Sequence, residues 1–382
     1  MTVYLDNIAT TRVCTEAAQA AIHMMCENYG NPSSTHTMGR NAKFELDRAR
    51  KLIADAVGAK PEEIFFTSSG SEANNWMLIS GAELGHRKGK HIISSEVEHI
   101  SVLKSLELLE KRGYEVTRLK PTRDGSISAE DVEKALREDT VLVALMLVNN
   151  ETGGISNIAE ISKVIKKKGS PALLHTDAVQ GFLKVPFTAS SLGSDMISIS
   201  GHKIHAPKGI GAVYIKGGTK MKLDPFIVGG GQELGRRSGT EAMSQIAAFA
   251  SAASLGKSHM DKSISEMSRL KSIAADRLIS ENKELKILSA VDSAPHILSI
   301  SLPGYKSEVI MNFLEARNIF VSKSSACKKG GRSYVLEAVG YSPDIIDGAL
   351  RIGLSPYTTE DEINAVCDGI RDAREQLFTL LR

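Results

Sequence analysis

A lysine, Lys203, stands shortly after the apolar run 196–199. That run predicts a short strand, and ligands in α/β proteins usually bind where strands end. A lysine amine at such a position can form a Schiff base with a carbonyl cofactor. Considered alone, Lys203 is more simply interpreted as a surface lysine in a loop.

A carboxylate occupies the same kind of position after another apolar run. Asp177 follows Leu173 and Leu174, and Gln180 comes three residues later. A carboxylate beside the ring nitrogen of pyridoxal phosphate keeps that nitrogen protonated, so that the ring can draw electrons from a substrate. Gln180 could reach the phenolic oxygen of such a ring. The alternative is that Asp177 caps a helix beginning at Ala178.

A glycine turn follows a third predicted strand, at residues 64–66. Gly70 and Ser71 stand between this strand and a helical pattern that starts near Glu72. Glycine lets the backbone approach a ligand closely, and a helix N-terminus offers free amides, so this segment is a candidate phosphate site. A plain capped helix, with Ser71 or a neighbour as the cap, explains the segment equally well when it is considered alone.

Two further polar residues follow predicted strands. His99 could stack on a cofactor ring and relay protons, although a histidine in a loop means little alone. Asn150 ends the apolar run 141–148, where asparagine is also ordinary turn chemistry. Five such residues each follow a predicted strand: Gly70, His99, Asn150, Asp177 and Lys203. A single binding site explains this pattern better than five separate coincidences.

One of the four cysteines has unusual neighbours. Cys327 is followed by Lys328, Lys329 and Arg332, whose charges should favour its thiolate, and by two glycines typical of an exposed loop. The alternative is a free cysteine in a basic loop. Four cysteines in so long a chain make no disulfide framework, and no C-x-x-C pair suggests zinc.

The elements that must position these residues alternate between short apolar strands and longer amphipathic helices. This pattern predicts an α/β fold with a mostly parallel sheet covered on both faces. After about residue 250 a polar helical region over 255–283 precedes further short strands, and Thr359 with Glu362 predicts a capping box for the last helix. We expect a large domain over 15–255 and a smaller α+β domain formed by 1–14 and 256–382.

Composition excludes several classes of protein. The chain has 382 residues with Lys+Arg 47 against Asp+Glu 45, which gives no support to a nucleic-acid or anionic-membrane surface. No apolar run approaches the ~20 residues that span a bilayer. The first residues lack the basic and then apolar pattern of a signal peptide, so the cytoplasm is the expected compartment.

The chain resembles the cysteine desulfurases, within the class V aminotransferase group of pyridoxal-phosphate enzymes. The motifs that carry the resemblance run nearly from end to end, at 5–11, 29–34, 66–72, 149–153, 177–180, 200–203, 229–241 and 324–327. The resemblance implies the fold type I architecture of these enzymes, with a mostly parallel seven-stranded sheet and a smaller C-terminal domain.

The resemblance also implies roles for individual residues. It implies that Lys203 carries the cofactor, that Cys327 receives the sulfur as a persulfide, and that His99 stacks on the ring and exchanges protons. Arg351, whose guanidinium can pair with an α-carboxylate, is expected near the substrate together with Asn150, although single arginines more often form surface salt bridges. The remaining cofactor contacts that it implies are those of Gly70, Ser71, Asn150, Asp177, Gln180, Ser200, His202 and, across a dimer interface, Thr240.

The implied reaction converts L-cysteine to L-alanine in a homodimer with shared sites. The persulfide sulfur would pass to a protein acceptor, such as an iron–sulfur scaffold or a tRNA-thiolation protein. Selenocysteine lyase, another enzyme of the group such as a transaminase, and a sulfur-delivery scaffold with little turnover are the alternatives. The chain departs from the family at Ile8, where a polar residue is common, at Ser69-Gly70-Ser71, at Lys323-Ser324, and in a shorter segment after Cys327.

Overall fold

The computed structural model describes residues 2–323 and 331–377, which form two main sheets and the helices packed on them. In chain order the strands are β1 (Val3–Tyr4), β2 (Ile64–Thr67), β3 (His91–Ser95), β4 (Glu115–Leu119), β5 (Thr140–Met146), β6 (Leu173–Asp177), β7 (Met196–Ser200), β8 (Gly211–Ile215), β9 (Lys286–Ile287), β10 (Ile297–Ser301), β11 (Ile319–Phe320), β12 (Ser322–Lys323) and β13 (Ala349–Gly353). The helices are α1 (Thr15–Cys26), α2 (Thr37–Val57), α3 (Gly70–Gly85), α4 (Ile100–Lys111), α5 (Ala129–Ala135), α6 (Ile158–Lys167), α7 (Ala189–Leu192), α8 (Met243–Ser258), α9 (Met260–Glu281), α10 (Ser307–Glu315), α11 (Tyr334–Val339), α12 (Pro343–Asp347) and α13 (Glu360–Gln376).

The central sheet has seven strands in the order β2-β8-β7-β6-β5-β3-β4. Strand β8 runs antiparallel to both of its neighbours, and every other adjacent pair is parallel. All residues of β5, β7 and β8 are buried, as expected for strands covered on both faces. The predicted α/β fold with a mostly parallel seven-stranded sheet is therefore confirmed.

Side chains that alternate along each strand pack into separate clusters on the two faces of this sheet. Phe65 packs edge-on against Trp76 of α3, with ring centroids 6.1 Å apart, whereas its neighbours Ile64 and Phe66 belong to the cluster on the other face. Helix α3 therefore covers one face, and its N-terminus lies where β2 ends. This arrangement follows from the period of two in a strand.

The ends of the parallel strands meet at one edge of the central sheet. Met146 of β5 lies beside Asp177 of β6, and Asp177 lies beside Ser198 of β7. Because β2 and β7 both run antiparallel to β8, β2 ends at this edge as well. The predicted strands therefore deliver the residues that follow them to one place.

The second sheet has the order β12-β13-β10-β9 and packs with α9, α10 and α13. The polar helical region predicted over 255–283 is divided between α8 and α9, because His259 between them is not helical. The predicted capping box is present: Glu362 N donates to Thr359 Oγ1 at 3.3 Å, and Thr359 N donates to Glu362 Oε2 at 2.9 Å.

The N-terminal segment connects the two sheets. Strand β1 pairs with β11 in parallel, and Gly353 N of β13 donates to Leu5 O. A few residues later, Thr11 N donates to His202 O, 3.0 Å away beside the central sheet. Residues 6–11 therefore pass along the edge at which the parallel strands end. Within the described ranges, no helix combines the length and the apolar character needed to cross a membrane.

Candidate active site

A cavity of about 380 Å³ opens where β2, β3, β5, β6 and β7 end. It is lined by Ile8, Ala9, Ser69, Gly70, Ser71, Asn74, His99, Met146, Val148, Asn150, Glu151, Asp177, Val179, Gln180, Ser200, His202, Lys203, Tyr334 and Arg351. The structure therefore brings together all the candidate residues named from the sequence except Thr240 and Cys327. Cys327 lies outside the described residues, and Thr240 is exposed and does not line this cavity.

Lys203 extends its amine towards the N-terminal segment. Its Nζ donates to Ile8 O at 2.6 Å and to Ala9 O at 2.8 Å. Burial and, to a smaller extent, the charge of Arg351 lower the pKa of Lys203 to about 8, against the opposite effect of Asp6 and Asp177. A lysine with a lowered pKa offers a neutral, nucleophilic amine near neutral pH.

Asp177 is held by two hydrogen bonds. Asn74 Nδ2 donates to Asp177 Oδ2 at 2.7 Å, and Val179 N donates to Oδ1 at 3.0 Å. No regular helix begins at Ala178, so Asp177 is not a helix cap. The carboxylate faces the cavity in a fixed orientation, as a partner for a protonated ring nitrogen must.

His99 is connected to Asp177 through two polar side chains. Asn74 Nδ2 also donates to Ser101 Oγ at 2.9 Å, and Ser101 Oγ lies 2.8 Å from His99 Nδ1. Since Ser101 N donates to the same Nδ1, this ring atom is an acceptor and the proton of the neutral imidazole resides on Nε2. Burial lowers the pKa of His99, as does Lys203, against the opposite effect of Asp177.

The predicted phosphate contacts surround the start of α3. Ser69, rather than Ser71, is the N-cap and accepts from Glu72 N at 3.1 Å, which leaves the amides of Gly70 and Ser71 without earlier carbonyls to bond. A Cβ at Gly70 would come within 2.8 Å of Val179 Cγ2 and 3.4 Å of Ser200 Cβ, so the turn requires a glycine. His202 Nδ1 lies 3.3 Å from Thr10 Oγ1 and lines the same end of the cavity.

The polar groups of the cavity wall, as well as its lysine, fit pyridoxal phosphate. Among the residues that the structure describes, the buried atoms Ser200 Oγ and Asn150 Oδ1 have no hydrogen-bond partner. Buried polar atoms are rarely left in this state unless a ligand or water satisfies them. Both atoms belong to residues of the cavity wall, where a phosphate or a substrate would supply the missing partner.

Arg351 projects from β13 of the second sheet into the cavity. Its Nη1 donates to Asn150 O at 2.6 Å, and its Nη2 donates to Ser322 Oγ at 3.2 Å. Asp6 Oδ1 lies 3.8 Å from Nη2. The guanidinium is almost completely buried, so it is not a surface salt bridge and is placed to receive a substrate carboxylate.

Several functional contacts were missed by the sequence analysis. Asn74 stands one helical turn after Gly70 on α3, a spacing that could have placed it on the same face. Glu151 follows the predicted Asn150, accepts from Ser333 Oγ, and has its pKa raised to about 7 by burial. The backbone carbonyl groups of Ile8 and Ala9 carry no side-chain signal, and only the fold reveals that they accept hydrogen bonds from Lys203 Nζ.

Comparison with known proteins gives matches along nearly the whole chain. The model of the family "Aminotransferase class-V" matches residues 3–366. The cysteine desulfurase IscS of Dictyoglomus turgidum is 39% identical over 387 aligned positions, covering 99% of this chain and 96% of that protein.

Solved structures give similar matches. A NifS-like protein is 36% identical and superposes with a TM-score of 0.93, covering 99% of this chain and all of that one. A structure of SspA in complex with cysteine is 32% identical, with a TM-score of 0.81 over 94% of this chain and all of its own.

Proposed function

The chain belongs to the class V aminotransferase family as a pyridoxal-phosphate-dependent cysteine desulfurase, and we propose that Lys203 binds the cofactor and Cys327 receives the sulfur. The observation that carries the proposal is the meeting of Lys203, Asp177, Gly70 and Ser200 in one cavity, where Ser200 Oγ has no hydrogen-bond partner among the described residues. A Schiff-base amine, a partner for a ring nitrogen and a phosphate cradle are the three features that this cofactor requires.

Pyridoxal phosphate, when bound, supplies an electron sink next to the α-carbon of the substrate. Asp177 and Gln180 would hold its ring, with His99 stacked on it. Its phosphate would be held by the amides of Gly70 and Ser71 and by the side chains of Ser71, Ser200 and His202. Asn150 is proposed to contact both cofactor and substrate.

The protein's own groups then act on L-cysteine. Arg351 binds the substrate carboxylate, which fixes the α-carbon in front of Lys203. The amine of Lys203 accepts the α-proton, for which its pKa of about 8 suits it near neutral pH. His99, whose proton resides on Nε2, lines the same cavity and is placed to exchange a proton there.

The sulfur leaves by attack of a thiolate. The Cys327 thiolate attacks the sulfur of the bound cysteine, so a new S–S bond forms while the carbon–sulfur bond breaks. The electron pair of the broken bond goes to the β-carbon, which takes up a proton. The α-carbon then regains the proton that Lys203 removed, and the fragment leaves as L-alanine. The second sulfur remains on Cys327 as a persulfide, ready for a thiol acceptor.

A second copy of the chain is the proposed partner at the segment 227–240. Three exposed apolar side chains are grouped in this segment: Ile227 is 38% exposed, Val228 82% and Leu234 62%. Such grouping, unlike a single exposed apolar residue, is typical of a surface that another chain covers. Glu233 anchors this segment to α2 through an ion pair with Arg50 at 2.7 Å, and to β2 of the central sheet by accepting from Phe66 N at 2.8 Å. In a homodimer, Thr240 would contact the phosphate in the partner's cavity.

The division into two domains is also a proposal, with 15–255 as the large domain and 1–14 with 256–382 as the small one. Support comes from packing: Val3 and Leu5 share a buried apolar cluster with α9, α13 and the second sheet, apart from the clusters of the central sheet. The substrate would therefore be held between Arg351 of one domain and Lys203 of the other.

The cytoplasm is the proposed compartment, and a protein thiol is the proposed sulfur acceptor. Cys14, Cys26 and Cys367 are free thiols, as is usual in a reducing compartment. A nucleophile must remove the outer sulfur of a persulfide, and an iron–sulfur scaffold or a tRNA-thiolation protein could supply it.

A cysteine-dependent assay of alanine and sulfide on the purified protein tests this function. We expect both products from the wild type in the presence of a reducing thiol. Cys327→Ser should keep the near-visible absorbance of the cofactor but release no sulfide. Sulfide release by Cys327→Ser at the wild-type rate would remove Cys327 from the mechanism.

A further inference from the structure

A buried histidine that does not line the cavity contacts a residue that does. His296 stands directly before β10, and its side chain is fully buried. Its Nε2 lies 3.3 Å from Gln180 Oε1, and Gln180 Nε2 donates to Ile8 O at 3.1 Å. Ile8 O also accepts from Lys203 Nζ, so the amide of Gln180 and the amine of Lys203 share one acceptor.

The hydrogen-bond pattern fixes the tautomer of His296. Burial lowers its pKa well below the usual value, and the charges of Lys184, Lys271, Lys203 and Arg351 lower it further, so the imidazole is neutral. A neutral imidazole carries one proton. Because Gln180 presents an acceptor, Oε1, the proton of His296 must reside on Nε2.

The opposite orientation of the Gln180 amide brings acceptors together. A flipped amide would place Oε1 against Ile8 O, and two carbonyl oxygens cannot share a hydrogen bond. With His296 donating to Oε1, the NH₂ group keeps one hydrogen for Ile8 O and has a second hydrogen to donate at the cavity wall. An oxygen of a ligand joined to Lys203 would then meet a donor instead of a lone pair.

We propose that His296 is a positioning residue, which holds the Gln180 amide with its N–H group towards the phenolic oxygen of the cofactor. The inference rests on the proposed roles of Gln180 and Lys203. His296 belongs to the part of the chain that forms the second sheet, since Leu354 N donates to His296 O at 2.9 Å. The hydrogen bond to Gln180 therefore connects that sheet to the cofactor environment.

The pH titration of the near-visible absorbance of the cofactor-loaded protein is the test. His296→Phe keeps a ring but removes the N–H group that holds the Gln180 amide in place. The anionic phenolic oxygen then loses stabilisation by the Gln180 donor, so it retains more tightly the proton on the nitrogen that joins the cofactor to Lys203. We expect the midpoint to move upward by about 0.5 to 1 pH unit. His296→Gln, whose amide can still donate, should titrate close to the wild type.

His91→Phe is the matched control, because His91 is a buried histidine whose ring nitrogens pair with Thr140 and Thr117 away from the cavity. It should leave the midpoint unchanged. Gln180→Leu should shift the midpoint at least as far as His296→Phe, and the double variant no farther than Gln180→Leu, because both changes remove the same donor.

The outcomes separate the two proposals. A shift in Gln180→Leu with none in His296→Phe overturns the positioning role alone, as does an additive shift in the double variant. A shift in His296→Phe without one in Gln180→Leu overturns the route through Gln180. If the wild type gains no near-visible absorbance with pyridoxal phosphate, both proposals fail.

Discussion

At the scale of single residues, a substitution of Ser200 should weaken binding of the cofactor without lowering the stability of the protein. Its buried Oγ has no hydrogen-bond partner within the described part of the chain, so Ser200→Ala removes no hydrogen bond within that part of the apo-protein. We expect the Kd for pyridoxal phosphate to rise roughly tenfold, measured by fluorescence titration, with an unchanged or higher free energy of unfolding.

Ser198→Ala, two residues earlier on β7, is the matched control. Ser198 Oγ lies 2.9 Å from His175 Nε2, so its loss should lower the free energy of unfolding by about 1–3 kcal/mol and leave the cofactor affinity alone. If Ser200→Ala kept the wild-type Kd, Ser200 would not belong to the phosphate site.

The lowered pKa of Lys203 predicts how cofactor uptake depends on pH. Only the neutral amine reacts with an aldehyde, so uptake by the apo-protein should rise roughly tenfold per pH unit below the pKa. Because the pKa is about 8, the rate should level off above that pH. Stopped-flow absorbance measures this rate of cofactor uptake as a function of pH.

Arg351→Leu should move this profile to higher pH, because the guanidinium charge adds to burial in lowering the pKa of Lys203. A profile that stays flat across this range, or that moves to lower pH in Arg351→Leu, would contradict the electrostatic explanation.

The side chains of the site were predictable from sequence, whereas the contacts that hold them were not. Lys203, Asp177 and His99 could be found because each follows an apolar run. The acceptor for Lys203 is the carbonyl of Ile8, and every residue has such a carbonyl. His296 lies 116 positions from Gln180, so only the fold brings them together.

At the scale of elements, the C-terminal helix offers a test of a sequence signal that the structure confirms. Thr359 caps α13 through Glu362, so Thr359→Ala should lower the free energy of unfolding by about 1 kcal/mol. Chemical denaturation measures the change. Thr359→Ser keeps the hydroxyl and should behave as the wild type, and an equal loss in both variants would show that the capping hydroxyl is not the cause.

Strands and their ends were predicted better than interruptions within helices. Strands β2, β3, β5, β6 and β7 each contain a short apolar run, so their positions can be read directly from the sequence, whereas β4 mixes polar and apolar residues and was not predicted. The break between α8 and α9 at His259 could not be predicted from the sequence, because polar, helix-compatible residues continue on both sides of it. Strands β9 and β12 have two residues each, too few to show a period of two.

At the scale of the whole molecule, the proposed dimer depends on the exposed apolar residues of 227–240. Replacing Val228 and Leu234 together by aspartate would place two charges in the interface, and we expect sedimentation to show a monomer at concentrations where the wild type is a dimer. The monomer should also retain less cofactor, because Thr240 could no longer reach the partner's phosphate.

Val291→Asp is the control for this change, since Val291 is 97% exposed and lies outside that segment. It should leave the wild-type association unchanged. A wild type that sediments as a monomer, or a double variant that remains dimeric, would contradict the proposed interface.

The proposed mechanism requires that Lys203, and no other lysine, holds the cofactor. Reduction of the cofactor-loaded protein with borohydride, followed by digestion and mass spectrometry, fixes pyridoxal phosphate to the lysine that carries it. We expect the added mass on the peptide that contains Lys203. Lys184 is the informative alternative, because burial and the charge of Lys203 lower its pKa to about 7. The added mass on Lys184, or on no lysine, would contradict the account.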